Sequence, residues 1–239
     1  MRRRALALAA LAAAVALLSV ACGGSGELSQ ARAEEKLRAA VVPPEDAGPD
    51  FTQDLARVQT NDESARARPD TEQARKQYEE WRQVLAYRVQ YSAPATPDLV
   101  FSGRTAQIMN TATIFETPDG AAASMAYVRA LPESTVADFL INEGGGTKIS
   151  DTQVVKDVDF PQEGDESFAW RSSGKATFAD GFTVNFVADT VFVRAGRITG
   201  AITTVALGQP PDRAELETLV GRFVARAQRE SARAGMLAA

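Results

Sequence analysis

Two hydrophobic periods share this chain, and together they predict an α+β fold: a mostly antiparallel sheet of about six to seven strands with amphipathic helices packed on it. The first observation is alternation in the C-terminal third, where Ser167 to Arg171, Gly181 to Val193 and Arg197 to Leu207 read as three antiparallel strands. The second is the run Leu216, Leu219, Val220, Phe223, Val224 and Ala227, which matches the helical template closely. The third is an internal echo. The segment from Ala112 through Thr117-Pro118-Asp119 into Ala121–Leu131 has the same order as the segment from Ala201 through Pro210-Pro211-Asp212 into Ala214–Ala227: strand, Pro-Asp cap, amphipathic helix. Two related strand–helix halves, 34–143 and 147–230, are therefore expected within one domain spanning 34–230.

Taken in order, Glu34 to Val42 reads as a short helix with Leu37 and Val41 on one face, stopped by the Pro43–Pro49 segment. Phe51 to Gln59 alternates weakly, as an edge strand does. Asp70 precedes Gln73 by three residues, a capping-box pattern, and Ala74, Tyr78, Trp81 and Leu85 follow at helical spacing. Tyr87, Val89 and Tyr91 then alternate with Arg88, Gln90 and Ser92, so the helix passes directly into a half-buried strand. Arg104 to Glu116 is a longer strand, with Ala106, Ile108, Ala112 and Ile114 on one face and Met109 and Phe115 on the other.

Thr117 caps the next helix, Pro118 takes its first position and Asp119 its first turn, while Ala122, Met125, Val128 and Leu131 form the buried stripe. Ser134 to Ile141 reads as a second short helix, broken by the linker Gly144-Gly145-Gly146. In the Gly181–Val193 strand, Phe182, Val184, Phe186 and Phe192 hold one face and Val187, Val191 and Val193 make the other apolar too, the pattern of a central strand. Ala195-Gly196 turns the chain, Pro210-Pro211-Asp212 with Glu215 caps the final helix, and 231–239 is expected to fray.

Composition narrows the chemistry. Residues 1–21 hold three arginines and no acid, so of 26 basic and 31 acidic residues the remainder keeps 23 and 31, a formal net charge of −8. That balance argues against a nucleic-acid partner, which demands a basic footprint. The chain has no histidine, which removes the commonest general base, metal ligand and pH switch. Its one cysteine, Cys22, leaves nothing for a disulfide or a catalytic thiol elsewhere.

The local motifs that suggest catalysis lack the settings that such chemistry requires. Ser172-Ser173-Gly174-Lys175 matches Ser-x-x-Lys, but that chemistry places the Ser at a helix N-terminus, and here a solvated hairpin is expected. Gly144-Gly145-Gly146-Thr147-Lys148 lacks the strand–loop–helix setting and the Gly-Lys-Ser/Thr ending of a phosphate loop. Glu163, Asp165 and Glu166 cluster at a turn without EF-hand spacing, and solvated acids are the reading. Glu79 and Glu80 flank Trp81, but helical spacing sends Tyr78 and Trp81 to the core and the acids outward. The expectation is therefore a chain that is not an enzyme, with no cofactor and no metal.

One stretch does carry a function. Arg2-Arg3-Arg4 opens an apolar run from Ala5 to Leu18, closed by Ser19-Val20-Ala21-Cys22 and followed by Gly23-Gly24-Ser25-Gly26. A basic n-region and a short apolar h-region make a secretory signal, and the run falls short of the roughly 20 residues a membrane span takes. The closing residues resemble a lipobox, the motif of bacterial lipoproteins. Val20 and Ala21 fit it; Ser19 stands where a Leu is usual, and Leu18 sits one place early. The resemblance implies a signal peptide over 1–21, cleavage between Ala21 and Cys22, and acyl chains such as palmitate on Cys22. The stretch that follows has no apolar period and opens Gly-Gly-Ser-Gly, so 22–33 reads as a flexible tether. The alternative is a simple secreted protein with an unused thiol at Cys22.

Further on, Gly164-Asp165-Glu166-Ser167-Phe168-Ala169-Trp170 and Val191-Phe192-Val193-Arg194-Ala195-Gly196-Arg197-Ile198 resemble uncharacterised exported lipoproteins of high-GC, actinobacterial-type bacteria, and Pro43–Phe51 is similar to the Pro-Gly-Phe segment near their start. The layout also resembles, distantly, the extracellular sensor domain of actinobacterial Ser/Thr kinases, whose disulfides this chain lacks. Those motifs are structural turns and imply a family, not a reaction. With the anchor they lead to a non-enzymatic binding or sensor-like envelope module on the extracytoplasmic face of the cell membrane. Its partner is expected to be a small apolar ligand, a lipid or another envelope protein. The competing expectation is a cell-wall hydrolase working with carboxylates alone, which demands two acids facing each other across a cleft.

Overall fold

The computed structural model describes residues 28–68, 70–94, 96, 99, 102–136 and 148–232. Seven strands form one sheet: β1 (Thr52–Gln59), β2 (Gln83–Ser92), β3 (Thr105–Phe115), β4 (Lys148–Val155), β5 (Glu166–Thr177), β6 (Thr183–Ala195) and β7 (Ile198–Leu207). Their order is β1-β2-β3-β7-β6-β5-β4, and every neighbouring pair is antiparallel. With helices packed on it, this is the α+β architecture that the two periods predict. Two meanders, β1 to β3 and β4 to β7, meet where β3 pairs with β7.

The register assigns each side chain to a face. Tyr87 and Val89 of β2, Ile108 and Ala112 of β3, Ile198 and Ile202 of β7 and Val191 and Val193 of β6 point one way. They meet α1 (Gln30–Ala40) and α6 (Arg213–Ala232), which add Leu37, Leu216, Leu219, Val220 and Phe223 to the main core. On the other face, Phe168, Trp170 and Phe192 pack with Met125 of α5 (Pro118–Ala130). β6 is thus apolar on both sides, as a covered central strand must be. The two strand–helix units of the echo are present, and they send their helices to opposite faces of the sheet.

Val42 shows how the first helix is tied down. Its N–H donates to Asn110 Oδ1 at 2.9 Å and its carbonyl accepts from Tyr91 Oη at 2.7 Å, so both backbone groups of a buried loop residue are met by sheet side chains. Asp46, on the single helical turn α2 (Pro44–Ala47), accepts from Arg222 Nη1 at 2.7 Å and also pairs with Arg226, pinning the same loop to α6.

Several expectations are corrected. α1 starts at Gln30, not Glu34, because the Ser29 hydroxyl accepts from Arg32 N–H; the expected tether 22–33 therefore overlaps the helix, and Ala33 is buried in the core. α3 (Asn61–Arg66) is an element that the periodicity does not predict, and it carries a true capping box, Thr60 with Glu63. α4 (Thr71–Glu80) stops at Trp81, so Leu85 lies in β2 and not on the helical stripe; Arg82, at φ 51°, makes the abrupt turn. β4 is likewise absent from the expected strands.

Ser172 to Lys175 lie inside β5, not in a hairpin. Gly174 is small there because a Cβ would come within 2.9 Å of both the Phe186 ring and the Ser150 carbonyl. Phe182 precedes β6 and is half exposed, stacked on Phe178 at the hairpin tip rather than holding a sheet face. α6 continues to Ala232, past the expected fraying point at Glu230, with Ser231 Oγ accepting from Arg197 N–H. Of the short helix expected over 134–141, residues 133–136 make one helical turn and the rest lies outside the described residues.

Candidate functional site

Ala21 and Cys22, on which the expected cleavage and lipidation fall, lie outside the described residues, as does the glycine linker 144–146. No described helix is long and apolar enough to cross a membrane. The other flagged residues are dispersed. Ser172 is buried on one face of β5, while Lys175 projects from the opposite face to Asp151 at 2.8 Å, so the Ser-x-x-Lys pair does not converge. Asp165 accepts from Gly196 N–H at 2.7 Å and from Arg194 at 3.1 Å, and Glu166 lies 3.7 Å from the same guanidinium. These acids fasten the loop before β5 to the β6–β7 turn. Among the described residues no three metal-ligating side chains gather.

Two cavities stand out. The first, about 290 Å³, is lined by Asp50, Arg104, Thr105, Asp212 and Glu215 at the start of α6. Carboxylates share this cleft, yet each has a structural partner. Asp50 accepts from Arg104 at 3.0 Å, Asp212 Oδ1 accepts from Ala214 N–H at 2.9 Å, and Glu215 accepts from the Thr105 hydroxyl instead of closing a capping box.

The second cavity, about 370 Å³, opens between the start of α4 and the end of α5 and is lined by Arg68, Asp70, Tyr127, Ala130, Leu131, Pro132 and Thr135. Arg68 is its hub. Nε and Nη2 donate to the two Asp70 oxygens at 3.0 Å each, Nη1 donates to Gln77 at 3.1 Å, and Nη2 also donates to the Tyr127 hydroxyl. Burial works against the Arg68 charge, but the Asp70 hydrogen bond and the fields of Tyr127 and Asp70 outweigh it and hold the guanidinium above its ordinary pKa. Burial likewise pushes the neighbouring Tyr78 phenol up, with Arg68 partly opposing it. Asp70 does not cap α4 through its side chain, contrary to the capping-box expectation. A bidentate guanidinium is the stronger partner for a carboxylate.

Aromatic rings hold this hub in place. The Arg68 guanidinium lies 5.1 Å over the Tyr127 ring, whose centroid is 5.3 Å from that of Trp81, which is 6.1 Å from Tyr78. Tyr78 and Trp81 are half-buried packing residues between α4 and α5, not deep core, and Glu79 and Glu80 point to solvent. Close approach of the two helices depends on Gly120, where any Cβ would strike the Trp81 carbonyl oxygen. At the far end of α5, Lys156 Nζ donates to the Leu131 carbonyl at 2.8 Å and to that of Arg129, capping the helix and fixing the cavity wall.

No protein-family model matches the chain, and no curated protein matches it. Among solved structures, the extracellular domain of PknH from Mycobacterium tuberculosis is similar, with a TM-score of 0.46 and 12% identity over 86% of this chain and 100% of that one.

Proposed function

We propose that this chain is an exported module held by lipid on Cys22 to the extracytoplasmic face of the cell membrane, where it binds a small apolar ligand, a lipid or an envelope protein and catalyses no reaction. The observation that carries the anchor is the run from Arg2-Arg3-Arg4 to Ser19-Val20-Ala21-Cys22, which holds the chain's one cysteine. A thiol at the first mature position takes a thioether-linked diacylglycerol, and each buried methylene contributes about 0.8 kcal/mol, so two or three acyl chains make attachment stable. The binding part is supported by the second cavity, whose volume falls within the roughly 300–1,000 Å³ of ligand sites and whose wall mixes apolar side chains with a few fixed polar ones.

Cys22→Ala tests the anchor. Fractionation of the producing cells is expected to move the variant from the membrane to the soluble fraction, with loss of a metabolically incorporated palmitate label. A variant that stays on membranes and keeps the label would refute lipid attachment at Cys22.

A further inference from the structure

We infer that the cavity beside Arg68 takes a carboxylate-headed amphiphile, with the head on the Tyr127 hydroxyl and the hydrocarbon body against Ala130, Leu131 and Pro132. This deepens the binding-module reading and rests on it. The argument begins with the hydroxyl. Tyr127 Oη already accepts a hydrogen bond from Arg68 Nη2, so its own proton is left to donate. A cationic donor on the oxygen polarises that O–H and makes it a better partner for an anionic acceptor.

Arg68 is not itself the bare receptor. Both Asp70 oxygens accept from it and Gln77 takes a third bond, so the guanidinium is fixed in place and its charge is matched by a carboxylate. A ligand with only donors therefore meets a donating hydroxyl and an acid that is already engaged. The rest of the described wall is hydrocarbon: Ala130, Leu131 and the Pro132 ring, with Thr135 as a further hydroxyl. An apolar chain bearing an oxygen acceptor at one end matches that lining.

The partners that build the site are held independently of any ligand. The Tyr127 ring contacts both the Arg68 guanidinium and the Trp81 ring, and the Leu131 carbonyl is capped by Lys156. Such a site is formed before binding, so little ordering opposes the ligand.

The test uses the full chain, purified from membranes or from the soluble fraction, whichever the Cys22 experiment returns, so that the two readings fail separately. Titration calorimetry with octanoate is expected to give saturable binding, and octylammonium, of equal length with a donor-only head, is expected to give none. Tyr127→Phe keeps the ring and removes the donor; it should weaken octanoate roughly five-fold, the worth of one net hydrogen bond. Thr135→Glu sets a like charge in the wall and should weaken it further, with circular dichroism reporting an unchanged fold. Octanoate that fails to saturate, equal binding of the two head groups, or an unchanged affinity in Tyr127→Phe overturns the proposal.

Discussion

Tyr91 illustrates what single residues do in this fold. It sits in β2, almost fully buried, with its hydroxyl donating to the Val42 carbonyl and accepting from Gln53 Nε2 at 3.3 Å. Burial, helped by the charge of Glu45 and by Tyr87, pushes its pKa up to about 12 from 10.0. The sign of the pH effect follows. Between these values the unfolded chain releases a phenolic proton that the folded chain keeps, so this contribution is complete below pH 10 and is lost as pH rises toward about 12. Tyr91→Phe should cost on the order of 1 kcal/mol at neutral pH, because the Val42 carbonyl loses its donor. The gap between the two proteins should close as pH climbs through that window, and urea midpoints across the range would measure it. A gap that stays constant would show that Tyr91 does not carry the alkaline loss. Alternation at Tyr87, Val89 and Tyr91 revealed the buried face of β2, but nothing local pairs Tyr91 with Val42, whose loop reaches it only through tertiary packing.

Helix α6 is the best-marked element in the sequence, and two glycines, one facing it and one within it, lead to opposite predictions. Gly200 of β7 faces it, and a Cβ there would enter the ring of Phe223, which is wholly buried. Gly200→Ala should destabilise by about 1–3 kcal/mol through overpacking. Gly221, within α6, has open space around the Cβ position and a helical setting, so Gly221→Ala should stabilise by about 0.5–1 kcal/mol. Thermal melts of the pair give the comparison, and equal signs would contradict the packing described. Strong periodic elements such as α6, α5 and β6 were legible because their own side chains spell out the buried face. β4 and α3 were not: β4 is an edge strand with a register shift at Ser150, and α3 is too short for a period to appear. Gly174 misled for a related reason, since its smallness answers to Phe186 across the sheet rather than to a turn. The Arg68 cavity was hidden for the same cause. Asp70 reads locally as a cap, while its real partner is an arginine two residues back, joined to a tyrosine that lies in another helix.

At the scale of the molecule, the two meanders are neighbours in sequence but not separable in energy. Leu85, Tyr87, Ile108 and Ala112 come from the first, Val191 and Ile198 from the second, Phe223 and Ala227 from the α6 helix that follows it, and all belong to one core. α1 crosses to the second half as well, with Lys36 donating to the Glu230 carbonyl at 2.8 Å and Arg226 Nε to the Ala40 carbonyl at 3.2 Å. Splitting the chain would bare the β3 edge along its pairing with β7 and strip α1 of α6. Half a sheet with one open apolar face buries too little surface to offset its chain entropy. Residues 28–136 and 148–232, produced separately, are therefore expected to show no cooperative unfolding transition in urea, and a cooperative transition should return when they are mixed. If either half alone melts cooperatively near the midpoint of the whole chain, the shared core is not what holds the fold, and the β3–β7 seam is a boundary between domains rather than the centre of one.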